Sequence, residues 1–195
     1  MKREIVREKT GGWKVMTYRD ETGIPEALVD YMVYFHGERD YFECHEVMEE
    51  YWKQDLTSAS ADLWVGLIQL AVAMYHQRRN NLKGAVRMLS SAMEKLDQPD
   101  VEAIGISREP FIAILKERLQ VLREEPSGSS YTDLNIPLKG ELLARSIDKC
   151  SQTGNEWCTP SNMQASSLIH KHSMRDRSEV IEARRKALEQ KQRSR

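Results

Sequence analysis

The 195-residue chain has little that would carry it into or across a membrane. Its main apolar stretch, residues 63–75 (LWVGLIQLAVAMY), is broken only by Gln69. It falls short of the about 20 residues that a bilayer-spanning helix needs. No apolar run lies near residue 1, so no secretory signal is expected. There are three cysteines, an odd number, at positions 44, 150 and 158. That excludes a disulfide framework and, with no export signal, leads to an expectation of reduced thiols and a cytoplasmic location. A zincin pattern is also missing, because His45-Glu46 has a glutamate at 49 where HExxH needs its second histidine.

What is present describes a soluble globular protein, with 40% hydrophobic and 30% charged residues. The length suits one domain plus an appendage. Residues 1–24 are polar and punctuated by Gly11, Gly12 and Gly23, and read as a flexible or weakly strand-like arm. Pro25 suits the first turn of a helix running to about His36, where Gly37 breaks it. Asp40 can cap a second helix over the following residues. Asp62 is placed to cap the apolar helix, Asn80-Asn81 make a turn, and Leu82, Val86, Leu89, Met93 and Leu96 recur at helical spacing. Ser107 caps a fifth helix with the stripe Phe111, Leu115, Leu119, Leu122. The prediction is an all-α, compact five-helix bundle over 25–124, with helix 63–75 central and largely buried. The run PSGSS at 126–130 reads as a linker. Residues 131–165 have few apolar positions, so the C-terminal extension, 125–195, is expected to be less ordered and to end in a basic helix, 174–195.

Charge is distributed unevenly. From His170 onward there are nine Lys or Arg against four Asp or Glu, a local +5; the first 169 residues carry −6, and the whole chain −1.

The candidate site lies in residues 35–52, FHGERDYFECHEVMEEYW. At 3.6 residues per turn, His45, Glu49 and Trp52 share a helix face with Tyr41, Phe42 and Met48. Glu43, Glu46, Glu50 and Lys53 fall on the opposite, water-facing side. A carboxylate on an apolar face needs a partner, and His45 is the nearest. On the apolar helix, Gln69 and His76 share a face with Val65, Val72 and Ala73. Were the two helices to pack face to face, His45, Glu49, Gln69 and His76 would converge beside Trp52. His45 and Glu49 could then act as acid/base groups, with Trp52, Gln69 and His76 contacting a small ligand, or His45, Glu49 and His76 could hold a divalent metal such as zinc, iron or manganese. The same set read as architecture is a hydrogen-bonded network that fixes helix register.

The segment YFECHEVMEEYW, followed by GLIQLAVAMYHQRRNNLKGAV, resembles the domain of unknown function 309 family, bacterial and archaeal proteins with an HxxxExxW signature matched by His45, Glu49 and Trp52. The resemblance runs over about 28–122 and implies a compact all-helical fold without implying an activity. This chain has Asn80-Asn81 where the family pattern has Gly-Asn, and His36 where it has Asn.

Three further groups are candidates. Arg39, Arg78 and Arg79 could bind an anion or sit solvated at helix ends. Cys150, Cys158, His170 and His172 carry zinc-capable atoms at a spacing that matches no standard module. Cys44 faces away from His45. Two functional classes follow: a cytosolic helical domain that binds a small ligand or metal, with hydrolase-like chemistry, and a non-enzymatic module that docks a protein partner or a second copy of itself. Nucleic-acid contact through the basic segment is a weaker third.

Overall fold

The computed structural model describes residues 5–7, 13–15, 23–54, 56, 60–124 and 131–174. It is helical, apart from a short antiparallel ribbon pairing β1 (Ile5–Arg7) with β2 (Trp13–Val15), Ile5 opposite Val15. The expected five helices are present as α1 (Glu26–Val33), α2 (Tyr41–Gln54), α3 (Ala61–Arg78), α4 (Leu82–Leu96) and α6 (Arg108–Glu124), with a single turn α5 (Asp100–Ala103) between the last two. Among the described residues, no helix is long and apolar enough to cross a membrane.

Local chemistry explains the boundaries. Asp40 Oδ1 accepts from the amides of Phe42 and Glu43 at 3.2 and 3.1 Å, the N-cap that starts α2. Asn81 Oδ1 accepts from Gly84 N at 3.1 Å and starts α4, after Asn80 has reversed the chain at φ 58°. Ser60, not Asp62, precedes α3 and makes no side-chain cap. Gly37 does not end the first helix. The chain instead widens into a π-helical turn, Tyr34–Glu38, which Arg39 terminates in the left-handed conformation at φ 54°. Gly37 is needed there for space, since a Cβ on it would stand 2.5 Å from Cys150 Sγ.

α3 is the spine, packed between α2 and α4. Leu63, Leu67, Leu70 and Met74 are inaccessible or nearly so, and Gly66 lets α4 approach until a Cβ would lie 2.8 Å from the Leu96 side chain. One face of α3 is less covered: Val65, Ile68, Gln69, Val72 and His76 are only half-buried. α1 packs on α2, and α6 on α4. Burial of each large aliphatic side chain contributes about 1.5–3 kcal/mol, offset by chain entropy.

Residues 131–162 belong to the same compact unit, which runs through Asn162. This corrects the expectation of a weakly ordered segment. Leu134 and Ile136 are buried, the backbone at Leu138 bridges Ile106, and α7 (Gly140–Gln152) packs on α1, with its Leu142 and Cys150 buried. Lys149 bridges Glu26 and Asp30, and Arg145 bridges Glu26, across the same two helices. The second unit, Met163–Arg195, contains α8 (Ser166–Ile169) and α9 (Lys171–Met174). The linker 126–130 and the expected basic helix beyond Met174 lie outside the described residues.

Gly37→Ala should cost about 1–3 kcal/mol in urea unfolding. Cys150→Ala in the same chain should recover part of that loss. Additive costs in the double mutant would show that the thiol is not what Gly37 makes room for.

Candidate functional site

The segment 35–52 divides into two parts with different surroundings. From Phe35 to Cys44 it is buried apart from Glu38 and Glu43; from His45 to Trp52 it is half-exposed except for buried Met48 and exposed Glu50.

The buried part is organised by Arg39, 2% exposed. Its Nε donates to Thr159 O at 2.7 Å, Nη1 to Phe35 O and Leu134 O at 3.0 and 3.1 Å, and Nη2 to Asn135 Oδ1 at 2.7 Å. Arg78 lies 4.7 Å over the Tyr41 ring and donates to Arg39 O at 2.5 Å. Of the three arginines expected as anion ligands or solvated helix ends, Arg39 and Arg78 are neither, because backbone carbonyls and an aromatic ring take the place of water, while Arg79 is half-buried over the Tyr75 ring. Asp133 completes the network. The hydroxyls of Tyr41 and Tyr131 lie 2.9 and 2.8 Å from its Oδ1, and Ser161 donates through Oγ and N at 2.5 and 2.7 Å. Burial would raise the Asp133 carboxyl, but the Ser161 and Tyr131 hydrogen bonds and nearby Arg39 outweigh it and hold it below the usual range.

His36 is wholly buried and stacks on Trp157 at 4.5 Å. Met32 O can only accept and Ile136 N only donate, so Nδ1 carries the proton at 3.0 Å from the carbonyl, and Nε2 accepts at 2.9 Å. Burial, assisted by Arg39, pushes this ring down to about 4. His36 therefore ties residues 131–138 to the π-turn. This is a structural role that a shorter asparagine would fill only by another geometry.

The half-exposed part carries His45, Glu49 and Trp52, the signature residues. His45, Glu46 and Glu49 have side chains 28%, 34% and 32% exposed. His45 Nδ1 is 3.1 Å from Glu46 Oε1, and Nε2 is 3.9 Å from Glu49 Oε2. One donor atom from each of the three can lie within 4.8 Å of the others, the one such grouping of histidine, cysteine and carboxylate among the described residues. Two expectations change. The pair sits at the edge of the core and not inside it, because Tyr41, Cys44 and Met48 take the fully buried positions and leave His45 and Glu49 a third of a turn around. The third member is Glu46, expected in water, and not His76.

Gln69 and His76 lie on the half-covered face of α3. His76 Nδ1 meets Asn81 Nδ2 at 3.0 Å, within the turn into α4. Gln69 Oε1 is buried and accepts no hydrogen bond. Trp52 is half-buried against the core. Cys44 is buried, with its thiol 3.6 Å from Tyr31 O and pushed up by burial, so it offers no nucleophile to His45. Cys150 is also buried, its thiol pushed up by burial and 3.5 Å from Asn155 O. His170 and His172 fall in the second unit.

An all-helical bundle with HxxxExxW on the edge of its second helix is the class that this arrangement defines. Residues 28–88 match the family described as Domain of unknown function (DUF309). The Uncharacterized protein YpuF of Bacillus subtilis is 38% identical over 174 residues, covering 88% of this chain and 98% of that protein. The chain belongs to the DUF309 family. Glutamate–tRNA ligases of Stenotrophomonas maltophilia and Xanthomonas campestris are 28% and 27% identical over 120 residues; that is 60% of this chain and 25% of each ligase. No solved structure matches the chain.

The buried histidine predicts a pH dependence. Above pH ~6.5 the ring is neutral folded or unfolded. As pH falls from there, the unfolded chain takes up a proton that the folded one refuses until about 4. Stability should therefore decline by about 3 kcal/mol across that window. His36→Phe, which keeps the stacking but gives Ile136 N no acceptor, should be less stable at neutral pH and show a shallower decline. Parallel curves from pH 7 to 4 would refute this.

Proposed function

We propose that this protein is a divalent-cation-binding helical domain whose centre is His45, Glu46 and Glu49 on α2. The carrying observation is the three donor atoms within 4.8 Å of one another on a half-exposed helix edge. One imidazole nitrogen and two carboxylates suit zinc, manganese or ferrous iron. Bonds of ~2.0–2.2 Å space such ligands closer than the side chains now stand, so the two carboxylates would have to rotate toward a bound ion. Packing does not require these residues, since a half-exposed helix edge tolerates most side chains. The signature nevertheless places a histidine and a glutamate there.

Three ligands from one helix leave coordination positions open to water or substrate, as in catalytic rather than closed structural sites. Hydrolysis is the chemistry such a centre would support: His45, Glu46 and Glu49 would hold the cation, which would supply Lewis acidity. Gln69, His76 and Trp52 are outside the ligand set in this reading. Three free cysteines fit a reducing compartment, and the cytoplasm is the location we assign.

Full-length protein purified without chelators should carry, or take up in titration, one equivalent of cation. His45→Ala and Glu49→Gln should lower its affinity at least about tenfold while changing stability by under about 1 kcal/mol. Asp133→Asn should behave oppositely, costing about 3 kcal/mol in stability and leaving cation affinity intact. Wild-type protein that takes up no cation would defeat the proposal.

A second reading, RNA contact, is favoured by the likeness to a quarter of the glutamate–tRNA ligases together with the +5 segment from His170. It predicts tRNA binding that weakens steeply between 50 and 200 mM salt and is lost on removing the basic segment. Salt-insensitive binding, or none, would dispose of it.

A further inference from the structure

Glu49 is shared. Its Oε2 faces His45 Nε2 at 3.9 Å, while its Oε1 is held by Lys53 Nζ at 3.0 Å, one helical turn further on. The glutamate-before-lysine order at this spacing is the favourable one on a helix. Lys53 is 59% exposed, so its ammonium can swing into water without breaking any packing. A divalent ion bound to Glu49 would stand only a few ångströms from that ammonium, and the two positive charges repel. Ion and ammonium therefore compete for one carboxylate.

We infer that Lys53 is a built-in competitor at the α2 centre, occupying Glu49 while no cation is bound and setting how tightly a divalent ion is held. This rests on the cation reading above and adds the residue that tunes the site. Lys53 is not a ligand, and its part is electrostatic: it neutralises Glu49, one of the two carboxylates on the His45–Glu46–Glu49 edge. Its removal tightens cation binding without altering which residues coordinate.

The test is titration of Mn²⁺ and of Zn²⁺ into the full chain by calorimetry, comparing wild type, Lys53→Met, Lys53→Glu and Lys116→Met. Lys116, exposed on α6, controls for loss of one positive charge anywhere on the surface. Lys53→Met should bind about three- to tenfold more tightly than wild type, with the gain shrinking as salt is raised. Lys53→Glu, which adds a carboxylate one turn from Glu49, should bind more tightly still. Lys116→Met should match wild type. Thermal melts of the four proteins should agree within a few degrees.

Equal affinity in wild type and Lys53→Met, or an equal gain in Lys116→Met, would overturn it and leave the cation reading standing. No binding by any of the four proteins would overturn both.

Discussion

A buried guanidinium is the constraint around which this fold is arranged. Arg39 has a fixed fork of donors, and moving it out of water is costly unless every donor finds an acceptor. Phe35 O lies within the turn Arg39 itself terminates, but Leu134 O, Asn135 Oδ1 and Thr159 O come from 95 to 120 residues further along the chain. The segment 131–161 has to return to the α1–α2 corner to supply them. Its own polar groups are satisfied there in exchange: Asp133 by Tyr41, Tyr131 and Ser161, and the Ile136 amide by His36. The left-handed residue that closes the π-turn is then held by its own side chain and by Arg78 on its carbonyl. A non-glycine residue in that conformation carries strain of order 1 kcal/mol or more, which the surrounding bonds offset.

That corner separates a buried network from a half-exposed helix edge within a single stretch of eighteen residues. His36, Arg39, Asp40 and Tyr41 are inaccessible or nearly so, and each has a partner that explains it. One turn later the helix edge emerges, and His45, Glu46 and Glu49 face one another and solvent. The anchored N-terminus of α2, capped by Asp40 and pinned through Tyr41, gives these side chains a rigid base. Side chains on a rigid helix can be held in place without being buried, and these three stay reachable from solvent.

Much of the bundle was legible in the sequence. Asp40 as a cap, the turn at Asn80-Asn81, the spine over 63–75 and the stripe on α6 were read from local signals, because caps, turns and helical periods depend on residues within a few positions of one another. The candidate site was legible in part. His45 and Glu49 were picked out by spacing, but their depth was misjudged: an apolar stripe tells which side of a helix faces inward, and not where around the cylinder burial ends. Glu46 was assigned to water for the same reason. Asp133, Ser161 and Trp157 had no signal at all, since nothing local marks a residue that will meet a partner near position 40.

The amino-acid sequence by itself determined that this chain forms helices, where most of them begin and end, and that a histidine and a glutamate share one helix edge. Those are consequences of backbone geometry and short-range hydrogen bonding. Only the tertiary structure decided that Arg39 and Arg78 are buried, that residues 131–162 complete the core, and which of the polar residues stand in water. Burial is a property of what covers a residue. Here the cover comes from a hundred residues away.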